Sequence, residues 1–512
     1  MTQVKKYYAL SGLLLATVSV AIMSIHPLEI ARYGHDVVVY FDYAFYIEKA
    51  NNQVGFVSSV YGDLLFRLLA LVNGFADGLH QIAFIQFGFS FLIITILFAP
   101  AFFGIHGQTD ELRLIIATLF CGLAAILVIQ GISHLGELVS ITYANFYNRI
   151  GLGLIIAPLM LRTLPIPTIF SLITLVIVAV AAFYIKISYF VAVFAVSFLC
   201  FPSVAVFPIS VGLGILCYGT VMGIDIAKYL AFGVTVGDVV SWKYTDVDLT
   251  AEFLFAAPAL LPIFIYIYAI MSNFIISSRY LILLLSLLPL ITCAINITNY
   301  AASAEVALLL GIFGSLLVFS ELTKYPQNML DKSPVAFLTL ERLKGTCVSI
   351  IFVGASIISS LFLFSLSQSS SAEIEFANFN SRYAGKANIL NADGHNNENY
   401  DVKLESGVLL LKKCIAADVS CKNFFVLNFE DFFHSELNIA PVSDRIFPMQ
   451  YRYTYSLDSV HPFNSEPIDF FIVPAKPAPE SGWPFWSIIQ KSVKTKLHLS
   501  NEDWQIYKKL SE

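Results

Sequence analysis

Charged residues occupy only 13% of the 512 positions, about half the roughly 25% usual in soluble domains. The shortage is uneven. Residues 1 to about 368 are dominated by long apolar runs, whereas 369–512 read as ordinary soluble sequence. With a net charge of −6 and no basic cluster, nucleic acid is not an expected partner. Nucleotide motifs are missing too: there is no GxxxxGKS/T and no GxGxxG between a strand and a helix. The glycines of GLGL at 151–154 open an apolar run and signal close helix packing. Cysteine is sparse, at seven residues. Cys121, Cys200, Cys217, Cys293 and Cys347 fall in or beside apolar runs, where Cys acts as a small apolar residue. Only Cys414 and Cys421, in KKCIAADVSCKN, stand in polar sequence. In an outward-facing domain they pair as a disulfide; in a reducing compartment they stay thiols.

Apolar runs are what the chain has in abundance. A span needs about 20 mostly apolar residues, which places spans near 7–25, 82–104, 112–131, 151–163, 167–185, 188–202, 203–223, 252–272, 278–297, 303–321 and 345–367, about eleven in all. The first has no small-residue cleavage site after VAIMSI and is read as a retained anchor. Lys5 and Lys6 precede it, and counting onward puts Arg113, Arg162, Arg279, Lys324, Lys332, Arg342 and Lys344 on the same side, the inside. An odd number of spans then sets the C-terminal domain outside. The expected fold is a polytopic α-helical membrane protein, 1–368, followed by a small soluble α/β domain, 369–512. Its N-terminus lies in the cytoplasm and its C-terminal domain is periplasmic or otherwise extracytoplasmic, at an inner (plasma) membrane. In that domain GVLLLK (407–412), NFFVLNF (423–429) and IDFFIVP (468–474) read as strands, and FEDFFHSEL and NEDWQIYKKL as helices.

The spans are nearly free of charge, and polar residues gather on the outside face. The first outside loop, 26–81, holds RYGHDVVVYFDYAFYIEKANNQ and then VSSVYGDLLFRLLALVNGF, whose apolar spacing suits an interfacial helix. The next, GISHLGELVSITYANFYNRIG, offers Glu137, Asn148 and Arg149. Lys186, Lys228 and Lys243 fall in later outside segments. A transporter would concentrate ionisable groups at mid-membrane, so this distribution favours chemistry at a surface.

In FDYAFYIEKANN a carboxylate, Asp42, opens an aromatic-rich helical turn. Together with a large first outside loop, about eleven spans and an outside C-terminal domain, it resembles the GT-C superfamily of membrane glycosyltransferases, among them aminoarabinose transferases and protein mannosyltransferases. The match lies at Asp42, the Tyr and Phe positions and Ala50. It departs at Tyr43, where the superfamily often carries a second acid. The resemblance implies an integral-membrane glycosyltransferase moving a sugar from a polyprenyl-phosphate donor to a cell-envelope glycan, lipid or protein acceptor.

Such a donor already has a good leaving group, so the enzyme must deprotonate or orient the acceptor and steady the phosphate. A carboxylate suits the first task; cations and amides suit the second. Asp42 is the expected base and Asp36 its rival. Tyr43 and Tyr46 would stack on sugar, and Glu137, Asn148, Arg149, Lys186, Lys228 and Lys243 would bind substrate. Against these stand plainer readings. Asp is a preferred N-cap, and Arg or Lys at a span end is commonly an interfacial anchor. No cofactor or bound metal is expected. His134 with Glu137, and the DVD of 246–248, are groupings a divalent ion could use. The alternatives are an O-antigen or polysaccharide polymerase or ligase using lipid-pyrophosphate glycans through outside arginines, and a transporter or flippase.

Overall fold

The computed structural model describes residues 34–49, 57–59, 62–72, 146–163, 168–201, 206–239, 256–274, 278–299, 304–322, 334–369, 400–428, 431–442, 445–447, 467–476 and 483–510. The spans expected at 7–25, 82–104 and 112–131 lie outside these residues. Every span expected from 151 onward coincides with a helix: α3 Phe146–Thr163, α4 Thr168–Ile185, α5 Ile187–Cys200, α6 Val206–Met222, α8 Ala257–Met271, α9 Arg279–Asn299, α10 Ala304–Leu322 and α11 Pro334–Ser369. The missing number, α7, is Ile226–Val239, a segment expected to be loop. Asp225 makes the difference: its carboxylate accepts the backbone N–H of Lys228 at 3.0 Å and restarts the helix.

α10 sits at the centre of the bundle, packed against α3, α8, α9 and α11. Its approach to α8 is so close that a Cβ on Gly311 would lie 2.3 Å from the carbonyl oxygen of Pro258. α3, α4 and α5 pack on one another, and α4 on α6. The outward faces are apolar: Ile169, Ile173 and Ile177 on α4, Ile209, Leu213 and Leu216 on α6, and Leu261, Phe264 and Tyr268 on α8 are all exposed. That is the reverse of a helix facing water. Among the described residues no single helix is long and apolar enough to cross a membrane. α6 and α7 pass that test only as a pair, bent by 106°. At the bend Gly223 takes the left-handed φ of 66°, while Ile224 and Gly223 donate to the carbonyls of Gly219 and Thr220, the Schellman closure of a helix end.

Two helices of the first loop lie against this bundle, α1 Gly34–Lys49 and α2 Leu64–Val72, which pack on each other. The β-branched run around Asp36 belongs to α1. Every described side chain from Val39 to Ile47 is buried, and packing on that scale outweighs a few tenths of a kcal/mol of propensity. α2 is anchored where Gly62 N–H donates to Ile185 O at 2.7 Å. A Cβ at Gly62 would fall 1.9 Å from the Tyr184 carbonyl oxygen. Gly62→Ala is therefore expected to force α2 off the end of α4, at a cost of about 1–3 kcal/mol, read as a lower melting temperature in detergent. An unchanged melting temperature would contradict this packing.

The C-terminal unit comprises α12 Tyr400–Ala417, β2 Phe424–Val426, α13 Phe432–Leu437, β3 Arg445–Phe447, β4 Phe470–Pro474, α14 Trp483–Ser492, β5 Thr495–Ser500 and β6 Trp504–Lys509. Its main sheet has the order β2-β4-β6-β5, parallel between β2 and β4 and antiparallel elsewhere. Two expectations fail here. GVLLLK lies inside α12, because Leu404, Val408 and Leu411 form one buried face at helical spacing. NEDWQIYKKL is strand β6, because Trp504 and Ile506 alternate inward against β4; Asn501 caps no helix but accepts the N–H groups of Asp503 and Trp504 in the turn between β5 and β6. Cys414 and Cys421 are joined as a disulfide with Cα atoms 5.9 Å apart. Beside it, hydrogen bonds from Lys508 at 2.7 Å and from Ser420 hold the Asp418 carboxyl well below its usual range. That contribution is present above the ordinary carboxylate value and is lost as pH falls towards the depressed one.

The C-terminal unit docks on the first loop. The three-residue strand β1, Val57–Ser59, pairs in parallel with β3, Ser58 opposite Ile446. Phe232 of α7 joins Phe425, Phe471, Trp486 and Ile489 in a second hydrophobic core. The double variant Ser58→Cys, Ile446→Cys is expected to cross-link under mild oxidation, read as a mobility shift on a non-reducing gel. Absence of a cross-link alongside normal folding would contradict the pairing.

Candidate functional site

The docking surface between α1 and the C-terminal unit is polar at its centre. Asp42 is fully buried. It lies well inside α1, not at its start, so it is not the N-cap of its own helix. Its carboxylate reaches across to α13 instead, accepting the Asp431 N–H on Oδ2 at 3.1 Å and the Ser435 hydroxyl on Oδ1 at 3.1 Å. One turn on, the Tyr46 hydroxyl donates to Asp431 Oδ2 at 2.5 Å and lies 3.2 Å from His434 Nδ1. His434 Nδ1 is 2.8 Å from the same carboxylate oxygen. Asp431 stands at the N-cap position of α13 but makes no capping bond with its side chain, because its carboxylate is turned towards Tyr46 and His434.

Asp42, Tyr46, Asp431, His434 and Ser435 thus form one buried network whose two halves are 385 or more residues apart in sequence. Buried carboxylates persist only where hydrogen bonds replace water, and these do. The imidazole of His434 stacks on Phe424 with ring centroids 4.0 Å apart, and its Nε2 is buried with no hydrogen-bond partner among the described residues.

Aromatic contacts tie this network to the end of the bundle. Tyr43 meets Phe66 of α2 at 4.3 Å, and Tyr40 meets Phe66 and Tyr147 at 5.9 and 6.0 Å. Lys186, in the break between α4 and α5, holds Nζ 5.2 Å from the Tyr147 ring and 5.8 Å from that of Tyr189, a cation–π arrangement. Of the residues expected to form a site, Asp42 and Tyr46 are linked through Asp431, and Tyr43 is linked to Lys186 through Phe66, Tyr40 and Tyr147. Lys228 is half-buried in the first turn of α7. Asp36, Asn148 and Arg149 belong to α1 and α3 by their backbones; their side chains, and Glu137 and Lys243 altogether, lie outside the described residues, as do His134 and the DVD segment.

Asp431, His434 and Ser435 were not anticipated as site residues. FEDFFHSEL does carry the signal of an acid and a histidine three apart on a helix, but nothing local ties it to residue 42. Cys414, Cys421 and His498 are the one grouping of metal-ligating side chains among the described residues, with ligand atoms within 4.8 Å of one another. While the sulfurs are bonded to each other they are not thiolates and do not ligate. Comparison with known protein families, curated proteins and solved structures finds no match.

Proposed function

We propose that this chain is an integral inner-membrane glycosyltransferase of GT-C type. It moves a sugar from a polyprenyl-phosphate donor to a cell-envelope glycan, lipid or protein acceptor at the outer face, with Asp42 as general base. The observation that carries the reading is the buried carboxylate of Asp42, set in an aromatic wall and held by Asp431 N–H and Ser435 where the first loop meets the C-terminal unit. Apolar stripes on the outward faces of α4, α6 and α8 support a lipid surround. Lys186, at the same end of the bundle, supplies a cation for the donor phosphate.

In the reaction the bond from the anomeric carbon to the phosphate oxygen breaks, and its electron pair leaves with the polyprenyl phosphate. The acceptor oxygen bonds the same carbon from the opposite face and gives its proton to Asp42. His434, Asp431 and Tyr46 fix α13 against α1 and so hold the base in place. The test is reconstitution of the full chain in liposomes with labelled polyprenyl-phosphate sugar. Label in an envelope acceptor, with release of free polyprenyl phosphate, is the expected result. Label that reaches the acceptor only when a polyprenyl-pyrophosphate-linked glycan is supplied instead, with release of polyprenyl pyrophosphate, would identify a ligase or polymerase.

A second reading, a transporter or flippase, is favoured by one observation, the 106° break between α6 and α7, since broken helices line transport sites. It is tested in sealed vesicles: movement of a lipid-linked sugar across the bilayer without transfer would select it.

A further inference from the structure

A half-buried acid lies where α2 meets the ends of α4 and α6. Asp63 is ion-paired with Arg67 one helical turn on, and Arg67 Nη2 also donates to the Met222 carbonyl at 3.2 Å, at the end of α6. The other carboxylate oxygen, Asp63 Oδ1, is buried with no hydrogen-bond partner among the described residues, and so is the hydroxyl of Tyr218. The Tyr218 ring lies 4.4 Å from that of Tyr184. The rings of Tyr184 and Tyr229 stack with centroids 6.3 Å apart. Two of these tyrosines are already used, the Tyr184 hydroxyl by Ile215 O at 2.6 Å and that of Tyr229 by Phe183 O at 2.9 Å. Tyr218 is not.

We propose that Asp63 and Tyr218 form the subsite holding the sugar of the lipid-linked donor, Asp63 Oδ1 accepting from its hydroxyls and Tyr218 supplying a matching hydroxyl. The inference rests on the transferase reading above. A carboxylate oxygen only accepts hydrogen bonds and a phenol both donates and accepts; sugar hydroxyls answer both. Aromatic faces beside the pair suit the C–H faces of a sugar ring. Charge selects sugar over phosphate: Arg67 already balances Asp63, and the second carboxylate oxygen would repel an anion. Position selects the donor. Tyr218 is in the last turns of α6, close to the apolar outward stripe of Ile209, Leu213 and Leu216, where a lipid-borne group arrives. α2 also meets the helix that carries Asp42, where Phe66 packs on Tyr43.

The experiment measures binding to the full chain in nanodiscs. Polyprenyl-phosphate-linked glucose, galactose and mannose are each compared with bare polyprenyl phosphate, for the parent and for Tyr218→Phe. Because the Tyr218 hydroxyl bonds nothing among the described residues, the variant is expected to melt like the parent. It is expected to lose about tenfold of the preference for a sugar-bearing over a bare carrier, the scale of one good hydrogen bond, while affinity for bare carrier is unchanged. Asp63→Asn is expected to reduce the same preference. A parent that binds bare carrier as tightly as every sugar-linked carrier would overturn the proposal. Full preference retained in Tyr218→Phe would do so as well, leaving an ordered water as the occupant. A preference that depends on Tyr218 in a protein that transfers no sugar would sustain the subsite and remove the transferase reading.

Discussion

Asp42→Asn is expected to lower sugar transfer by about 10²–10⁴-fold, the usual contribution of a general base, while leaving the protein folded. The amide is nearly the same size as the carboxylate and retains one acceptor oxygen. Its oxygen can keep the Asp431 N–H while its NH2 group donates to the Ser435 hydroxyl oxygen, whose own hydrogen turns to the Phe432 carbonyl 3.1 Å away. The fastening of α1 to α13 is thereby retained. Ser435→Ala removes one of those bonds and keeps the carboxylate, a structural loss of about 1–3 kcal/mol without the chemical one. If Asp42 acts as the base, Ser435→Ala retains most of its activity and Asp42→Asn does not. If Asp42 only fastens α1 to α13, Asp42→Asn retains its activity as well. Asp36→Asn adds the comparison with the rival acid. Transfer by Asp42→Asn within threefold of the parent would falsify the assignment.

Asp431→Ala is expected to loosen the C-terminal unit from the bundle. The carboxylate of Asp431 receives the Tyr46 hydroxyl at 2.5 Å and lies 2.8 Å from His434 Nδ1, and all three side chains are buried. Its removal forfeits two strong hydrogen bonds in a site closed to water. The Tyr46 hydroxyl and His434 Nδ1, already 3.2 Å apart, can still pair with each other and recover part of the loss. The balance is a destabilisation of about 2–4 kcal/mol. It should appear as a melting temperature lower by several degrees and as faster proteolysis of residues 400–510, with α10 and its neighbours still protected. A variant that melts with the parent and resists protease equally would show that the docking is carried by the Phe232 core and the β1–β3 pairing alone.

The bundle was legible because long apolar runs admit few structures, and their ends were marked by Pro, Gly and charge. Helix α7 was missed because AKYLAFGVTVGDV is only moderately apolar; its cap at Asp225 was readable, but the burial of its Phe232 comes from Phe425, Phe471 and Trp486 far along the chain. The exchange of helix for strand in the C-terminal unit has the same origin. LESGVLLLKK and WQIYKK are short segments compatible with either period, and pairing with β4 decided the second. At the site, Asp42 and Tyr46 stood out locally, as an acid among rings. Their partners did not, since Asp431, His434 and Ser435 acquire meaning only when α13 lies against α1. Asp63 and Arg67 were visible as charges within an apolar helix pattern, but the orphaned Tyr218 hydroxyl is a property of packing alone.

The central claim, that a lipid-borne sugar is transferred where the first loop meets the C-terminal unit, is most directly tested in proteoliposomes of known orientation. Labelled polyprenyl-phosphate sugar is supplied in the bilayer, and the acceptor is confined either outside the vesicles or within their lumen. A cysteine placed at Ser58, titrated with an impermeant thiol reagent, reports which side carries the first loop. The expected result is labelled product only when the acceptor shares the side on which residue 58 reacts, and none from Asp42→Asn on either side. Product formed only from the opposite side, or equally by Asp42→Asn, would contradict it.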